Sequence, residues 1–457
     1  MNRNKIICFA LLIAAGTIIG CLSKPDSRSG SDTGNINENI IGSWTGSLKV
    51  SGQEFGIMFN ISSKTNGSFA AEIDLPVQNV KGMPVDKVTL IGDKVSLQVS
   101  SIEGLYEGII KDNLTIGGQW TQGGKSFPLI LQRGGKMVEL NRPQEPKKPY
   151  PYNEEEVVYE NKKAGISLAG TLTLPASKGQ FPAVILITGS GPHDRDEWLA
   201  GHRPFLVLAD NLTRRGIAVL RVDDRGIGKS TGNFSKATSE DFAGDVLAGI
   251  EYLKSRNDIS IGKIGLVGHS EGGMIAPMAA VQSPDVAYFV MMAGPGLTGD
   301  DILYFQNEQI YRANGAGNET ILKKRIIIER VFSIVKQETD DSIAQEELRR
   351  VYDEEMVKLN DTEKEQLRYS SQDRDEFKQY LSPWWRFYLT YDPKPDLMKV
   401  KVPVLAIIGE KDWHVSPDEN LKAIGDALKA GGNKNYTIRE MPGQNHLFQT
   451  AQTGNPS

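Results

Sequence analysis

One short turn constrains this chain more than any other segment. Residues 268–272 read Gly-His-Ser-Glu-Gly, a G-x-S-x-G pattern. The apolar run 264–267 precedes the turn, and residues 274–280 are typical of a helix. Such a tight turn needs small residues two positions either side of the serine, and it holds the hydroxyl above a sheet at a helix N-terminus. The pattern alone is common by chance, but its place between a strand and a helix predicts that Ser270 is a nucleophile.

Five apolar runs predict the strands of a parallel sheet. Each run is nearly continuous, as strands buried on both faces are. The runs are 183–187, 217–222, 264–267, 286–292 and 404–408. Because helical segments alternate with them, the sequence predicts an α/β fold, a mostly parallel sheet flanked by helices. We place the two parts of this core at residues 153–297 and 396–457.

A serine hydroxyl needs a base before it can attack a carbonyl carbon. The histidines of the chain are His193, His202, His269, His414 and His446. In the α/β-hydrolase fold the chain order is Ser, then Asp or Glu, then His, which leaves His414 and His446. His446 lies on a loop after the strand-like run 436–438, where a base is expected. We predict His446 as the base, and a pocket-wall or surface position for His414.

The acid that orients the imidazole is predicted on the loop after the run 404–408. Asp412 and Glu410 both lie there, at the carboxyl end of a strand, where sheets of this class collect their site residues. We favour Asp412, because Glu410 follows the strand directly and the loop needs length to reach the histidine. The predicted catalytic triad is Ser270, Asp412 and His446.

Backbone N–H groups must stabilise the negative charge that develops on the substrate oxygen. One donor is predicted to be the N–H of Glu271, the residue after the nucleophile. The other is expected in the loop 188–192, whose glycines permit close approach to a substrate. Ser190 is the first choice and Gly191 the alternative. Gly191 and His269 are also candidates for lining the substrate pocket.

Residues 298–395 interrupt the strand pattern with charged, helix-forming sequence. Apolar residues recur there at helical spacing, for example Ile327, Val331 and Val335. Helices inserted between two strands of the sheet predict a lid, and the alternative is a solvated excursion with no role in the site. Trp384 and Trp385 are candidates for the substrate pocket, with packing within the lid as the alternative.

Residues 40–135 predict a separate all-β domain. Short alternating segments are divided by turn residues such as Asn66-Gly67, a pattern typical of a small barrel or sandwich. The region contains no His and no Cys, so we expect a stability or spacer role. A glycan-, lipid- or partner-binding module is the alternative. A proline-rich linker is predicted at residues 136–152.

The first 20 residues are typical of a signal peptide. Ile18-Ile19-Gly20-Cys21 resembles a bacterial lipobox, which predicts lipid on Cys21 and a flexible tether over residues 21–39. The only other cysteine, Cys8, would leave with the signal, so no thiol or disulfide chemistry is expected. We therefore expect a protein of the bacterial cell envelope, on its periplasmic or surface side, with the membrane as partner through Cys21.

Several segments together resemble one group of enzymes. This chain resembles bacterial esterases related to the serine-aminopeptidase-like hydrolases, in the α/β-hydrolase superfamily. The similar segments are residues 186–192, 194–197, 224–230, 268–273, 382–385 and 442–446. This resemblance spans residues 153–450 and implies carboxylesterase activity by default. The chain ends 11 residues after His446, where that family usually continues into a helix, and we expect this difference to affect stability more than site identity.

Other patterns exclude several kinds of site. A net charge of −5 gives no reason to expect nucleic acid as a partner. No His or Cys spacing suits zinc, so no metal is expected. Residues 226–231 resemble the tail of a phosphate-binding loop, but Asp223 stands where that loop requires glycine. We expect a structural turn there, with Arg225 paired to a carboxylate, and no cofactor.

The sequence thus predicts an enzyme that acts on a small acyl ester. The same machinery could serve a serine exopeptidase or amidase. A non-enzymatic envelope binding protein is the third reading, and the intact Ser, Asp and His weigh against it. The charged cluster 194–197, beside the predicted oxyanion loop, is expected either to be solvated or to brace that loop.

Overall fold

A computed structural model of the chain describes residues 40–454, apart from 51–52, 77–79, 123–124, 136–141, 200, 314, 368 and 370–374. The predicted signal peptide, Cys21 and the tether lie outside the described residues, so these features remain predictions. The chain divides into two compact units, one mainly before residue 143 and the other mainly after it.

The first unit is a single antiparallel sheet of nine strands in the order β4-β3-β2-β1-β9-β8-β7-β6-β5. The strands are β1 (Gly42–Val50), β2 (Gln53–Ser63), β3 (Phe69–Leu75), β4 (Val80–Val85), β5 (Lys87–Ile91), β6 (Lys94–Val99), β7 (Gly104–Ile110), β8 (Thr115–Gln122) and β9 (Lys125–Arg133). Strand β3 contacts β5 and β4 contacts β6, so the two ends of the sheet approach each other. One sheet curled in this way is a barrel, and the sandwich alternative is wrong.

Aromatic side chains fill the interior of this barrel. Trp44, Phe59 and Tyr106 are completely buried, as is Trp120 to within 1%. Their polar atoms have partners: Trp44 Nε1 donates to the Ile40 carbonyl at 2.7 Å, and the Tyr106 hydroxyl donates to the Ile116 carbonyl at 3.2 Å. Buried aromatic rings with satisfied polar atoms stabilise a small β domain.

The second unit contains an eight-stranded sheet in the order β10-β11-β13-β12-β14-β15-β16-β17. The strands are β10 (Asn153–Asn161), β11 (Ile166–Leu174), β12 (Phe181–Ile187), β13 (Ala218–Val222), β14 (Ile259–His269), β15 (Val286–Met292), β16 (Val404–Gly409) and β17 (Tyr436–Met441). Strands β12 to β17 pair in parallel, and β10 and β11 are antiparallel. The five predicted apolar runs all lie in the parallel part of the sheet.

Helices cover this sheet and interrupt it between β15 and β16. The flanking helices are α1 (Pro204–Arg214), α2 (Ser239–Lys254), α3 (Glu271–Ala280), α9 (Lys394–Lys399) and α10 (Pro417–Ala430). The inserted helices are α4 (Gly299–Ala313), α5 (Asn318–Gln337), α6 (Asp341–Met356), α7 (Asp361–Gln366) and α8 (Pro383–Thr390). The insertion has an apolar core of its own, which includes Val331, Phe332 and Phe377. Within the described part of the chain, no helix has the length and apolar character that crossing a membrane requires.

Candidate active site

Ser270 occupies a strained turn between β14 and α3. Its backbone has φ 52° and ψ −118°, although it is not glycine. A non-glycine residue persists in such a conformation only where its surroundings enforce it, and such residues cluster at active sites. The Ser270 N–H donates to the Met292 carbonyl at 2.8 Å, and a Cβ added at Gly268 would overlap the Gly272 carbonyl. The glycines of the motif are therefore required by close backbone approach.

Asp412 and His446 form a hydrogen-bonded pair at the carboxyl ends of β16 and β17. Asp412 Oδ2 lies 2.7 Å from His446 Nδ1. Asp412 Oδ1 accepts the N–H groups of His414 and Val415 at 2.8 and 2.9 Å, which fixes the carboxylate. Burial alone would raise the pKa of Asp412, but the charge and hydrogen bonds of these partners hold it below its usual range. His446 Nε2 makes no hydrogen bond within the described residues and is the nitrogen that can take a proton.

Glu410, the alternative acid, points elsewhere. It is exposed, accepts the Gly443 N–H at 2.8 Å and pairs with Lys411. His414 is mostly buried, with its ring centroid 4.7 Å from that of His446. Burial lowers the pKa of His414 to about 4, so this ring is neutral at neutral pH. The sequence predicts a pocket-wall or surface position for His414, and the structure places its ring against His446, in the wall of the site.

The predicted oxyanion loop lies against Ser270. A Cβ added at Gly189 would stand 3.2 Å from Ser270 Cβ. The Gly189 N–H is engaged, because it donates to Glu197 Oε1 at 2.7 Å. The N–H groups of Ser190 and Gly191, and that of Glu271 at the start of α3, donate to no acceptor in the described part of the chain. Gly191 has φ 105°, which only glycine adopts readily.

The charged cluster 194–197 braces this loop. Arg195 pairs with Asp223 at 2.8 Å, and Asp196 pairs with Arg221. Of the two alternatives from the sequence, bracing is found and a solvated cluster is not.

A neighbouring carboxylate also fixes this region. Asp224, which follows β13, accepts from the Thr188 hydroxyl and the His193 N–H, both at 2.8 Å. The next residue, Arg225, pairs with Asp245 at 2.7 Å, in the structural role expected for this turn.

His269 is almost completely buried, and its place in the lining of a substrate pocket stays a prediction. It is 6% exposed, because it is the last residue of a central strand. Its Nδ1 lies 2.9 Å from Glu197 Oε1, and its Nε2 lies 3.0 Å from the His446 carbonyl. Burial opposes a charged ring, but the charge and hydrogen bond of Glu197 and the bond to His446 together raise the pKa of His269. Sequence reasoning missed the contact between His269 and Glu197, which are 72 positions apart and carry no local signal of it.

Glu271 connects the nucleophile turn to the helical insertion. Its Oε1 accepts from the Ser239 hydroxyl at 2.6 Å and from Trp384 Nε1 at 2.8 Å. Burial raises the pKa of Glu271 to about 7, against the effect of these two hydrogen bonds. Trp384 stacks on Tyr388 with ring centroids 4.9 Å apart. Trp384 is thus tied directly to the residue after Ser270.

Trp385 packs against the core of the insertion and also against the core of the sheet. Its ring meets those of Tyr380 and Trp384 edge to face, at centroid distances of 4.9 and 4.7 Å.

Within the described residues, no group of His, Cys, Asp or Glu side chains could hold a metal ion.

A strained serine after a central parallel strand, with an Asp–His pair beside it, defines a serine hydrolase of the α/β-hydrolase fold. The chain belongs to the X-Pro dipeptidyl-peptidase (S15) family, whose sequence profile matches residues 164–438. The superfamily predicted from the sequence is thereby confirmed.

Individual relatives share low sequence identity with this chain. Esterase EstD of Thermotoga maritima is 28% identical over 265 residues, a match that covers 56% of this chain and 63% of the esterase. The match thus spans less than two thirds of that enzyme. An uncharacterised 31.7 kDa protein from the traX–finO intergenic region of Escherichia coli is 25% identical over 281 residues, covering 60% of this chain and 87% of that protein.

Similar solved structures include Est1E from Butyrivibrio proteoclasticus with bound ferulic acid. It has a TM-score of 0.39 and 19% identity, and the match covers 64% of this chain and 92% of that one. The Pyrococcus furiosus esterase PF2001 has a TM-score of 0.39 and 17% identity, and the match covers 65% of this chain and 84% of that one.

Proposed function

We propose that the chain hydrolyses carboxylic esters through an acyl-enzyme on Ser270. The observation that carries this proposal is the Asp412–His446 hydrogen bond beside a strained Ser270. Two backbone N–H groups without acceptors, those of Ser190 and Glu271, add the donors that an oxyanion needs. The similarity to an enzyme described as an esterase favours esters over other acyl substrates.

In the proposed reaction, His446 Nε2 takes the hydroxyl proton of Ser270 as its oxygen attacks the ester carbonyl carbon. The carbonyl oxygen becomes negative and binds the N–H groups of Glu271 and Ser190. Asp412 stabilises the imidazolium that forms. The imidazolium then protonates the departing alcohol, which leaves an acyl group on Ser270. A water molecule, deprotonated by His446, attacks this acyl group and restores the serine.

A serine exopeptidase is the second candidate, and the family of the chain favours it. The same triad would cleave an amide and release an amine in place of an alcohol. To separate the two, kcat/KM should be measured for the full chain in detergent on p-nitrophenyl acetate, an aminoacyl p-nitroanilide and Ala-Pro p-nitroanilide. We expect the ester to be the best substrate after correction for its spontaneous hydrolysis. A higher kcat/KM on either anilide would replace esterase by exopeptidase.

We also propose that lipid on Cys21 holds the protein on the bacterial envelope. The supporting pattern is the apolar, uncharged segment that ends at this cysteine. The test is fractionation of cells that produce the wild type or Cys21→Ser. We expect the wild type to be in the membrane fraction and to be labelled by palmitate. Cys21→Ser should not be labelled. Equal palmitate labelling of both proteins would contradict the proposal.

A further inference from the structure

One buried carboxylate connects the three loops that carry the reacting groups. Glu197 Oε1 accepts the Gly189 N–H at 2.7 Å and lies 2.9 Å from His269 Nδ1. Gly189 precedes Ser190 in the oxyanion loop, and His269 precedes Ser270 in the nucleophile turn. The far side of the His269 ring reaches the carbonyl of His446 itself, at 3.0 Å. Glu197 and His269 thus contact or precede all three groups. Glu197 binds the residue before Ser190, and His269 precedes Ser270 and contacts the His446 backbone.

The contacts of His269 define its charge. Both ring nitrogens face oxygen atoms, one of the Glu197 carboxyl group and one of a peptide carbonyl. Burial opposes ionisation of Glu197, but the charge and hydrogen bond of His269 hold its pKa below the usual range, so at neutral pH neither oxygen can donate a proton. Each nitrogen therefore carries hydrogen, which makes the ring an imidazolium and the contact with Glu197 an ion pair. Glu197 is 3% exposed and His269 6%. Burial opposes both charges, but the charge and hydrogen bond that each group offers the other raise the pKa of His269 and lower that of Glu197.

We propose that Glu197 is a positioning residue for the serine hydrolase reaction. Through its bond to Gly189 it turns the next peptide, so that the Ser190 N–H faces the reacting carbonyl. Through the charged ring of His269 it holds the His446 backbone at a fixed distance from the residue before Ser270. This role rests on the proposed function, because positioning has meaning only for a triad that turns over.

A structural role alone does not explain the backbone of Glu197. This residue has φ 49°, a conformation that costs free energy for a side chain of its kind. The pair between Arg225 and Asp245 offers a comparison within the same unit. It too is a largely buried ion pair, at 2.7 Å, but its acid sits on α2 in ordinary helical backbone. We infer that the strain at Glu197 is retained because its carboxylate must reach two loops at once.

The kinetic test compares Glu197→Gln and Glu197→Ala with the matched control Asp245→Asn. A displacement of about 1 Å in catalytic groups costs about 100-fold in rate. We expect kcat of Glu197→Ala to fall by about that factor, with KM within about twofold of the wild type. Glu197→Gln keeps an acceptor for Gly189 but loses the charge, so we expect a loss of about 10-fold. Asp245→Asn should lose thermal stability with kcat retained.

A second readout isolates the ion pair. In protein labelled with [15N]histidine, the ring signals of His269 can be assigned by their loss in His269→Gln. At neutral pH we expect this ring to be an imidazolium in the wild type and neutral in Glu197→Gln. The double variant with His269→Gln should then lose no more activity than the worse single variant, because both act through one contact.

The outcomes distinguish failure of the positioning role from failure of the proposed function. If wild-type Ser270 reacts with a fluorophosphonate but folded Glu197→Ala and Glu197→Gln keep kcat within twofold, the positioning role is wrong and the proposed function stands. An equal loss of kcat in Asp245→Asn would also overturn the positioning role, because the loss of any buried ion pair would then explain the lower kcat. If wild-type Ser270 does not react, the proposed function itself has failed.

Discussion

Asp412 Oδ2 and His446 Nδ1 are joined by a 2.7 Å hydrogen bond, although the two residues lie on loops after different strands. Strands β16 and β17 pair in parallel, so the two loops leave the same edge of the sheet. The bond assigns a hydrogen to Nδ1 and leaves Nε2 as the basic nitrogen. In the proposed reaction, proton transfer from Ser270 depends on this tautomer.

The first prediction concerns that tautomer. Asp412→Asn removes the charge that stabilises the imidazolium and favours the wrong tautomer, so we expect kcat to fall by about 10⁴-fold. The matched control is Glu410→Gln, an acid in the same loop whose contacts are with Lys411 and Gly443. We expect the control to keep kcat within about twofold. Steady-state kinetics on p-nitrophenyl acetate measures both, and equal losses would show that the choice of acid is wrong.

The second prediction concerns the alkaline side of the pH profile. Burial raises the pKa of Glu271 to about 7, so its carboxyl ionises above that pH. In the proposed reaction the Glu271 N–H donates to the oxyanion, and a negative charge on the side chain of the same residue opposes that transition state. Wild-type kcat should therefore decline above about pH 7. Glu271→Gln keeps acceptors for Ser239 and Trp384 but cannot ionise. In a pH-stat assay we expect its alkaline decline to be absent, and an unchanged decline would contradict this role.

The third prediction follows from the pair between Glu197 and His269. The pKa of Glu197 is lowered from 4.5 in the folded protein, so its stabilising effect is present above that value. The pKa of His269 is raised from 6.5, so its effect is complete below that value and is lost as pH rises through the folded pKa. The difference in unfolding free energy between wild type and Glu197→Gln should therefore be largest between these values and shrink above pH 6.5. Urea unfolding at several pH values measures it, and a difference that grows with pH would contradict the ion pair.

The fourth prediction concerns the glycines of the nucleophile turn. A Cβ at Gly268 overlaps backbone atoms that cannot move without opening the turn, so Gly268→Ala should destabilise the fold by ~3 kcal/mol. Gly262 lies earlier on the same strand with nothing within 4 Å of an added Cβ. Gly262→Ala should be neutral or slightly stabilising. Thermal unfolding separates the two variants, and similar melting temperatures would mean that the turn tolerates side chains.

The sequence could predict those parts of the site that depend on chain order and local pattern. Ser270 and Asp412 each follow an apolar run, and His446 follows a strand-like run. All three runs become strands of the parallel sheet, so the common edge of these residues could be inferred. The hairpin β10–β11 was missed for a related reason. Strand β10 alternates exposed and buried residues in place of a continuous apolar run, because it lies at the edge of the sheet.

Contacts between distant segments could not be predicted in the same way. Glu197 and His269 are 72 positions apart, and only the pairing of β12 with β14 brings their loops together. An acidic residue in a charged cluster and a histidine beside a serine carry no mark of a shared bond. The contact of Trp384 could not be predicted either. The sequence left packing and substrate contact as alternatives, whereas the indole N–H donates to Glu271.

Covalent labelling tests the role of Ser270 most directly. The wild type and Ser270→Ala should be treated with a fluorophosphonate probe, digested, and mapped by mass spectrometry. We predict a single modified serine, Ser270, in the wild type, and no modification of the folded variant. Labelling of another serine, or equal labelling of both proteins, would contradict the assignment of Ser270 as the nucleophile.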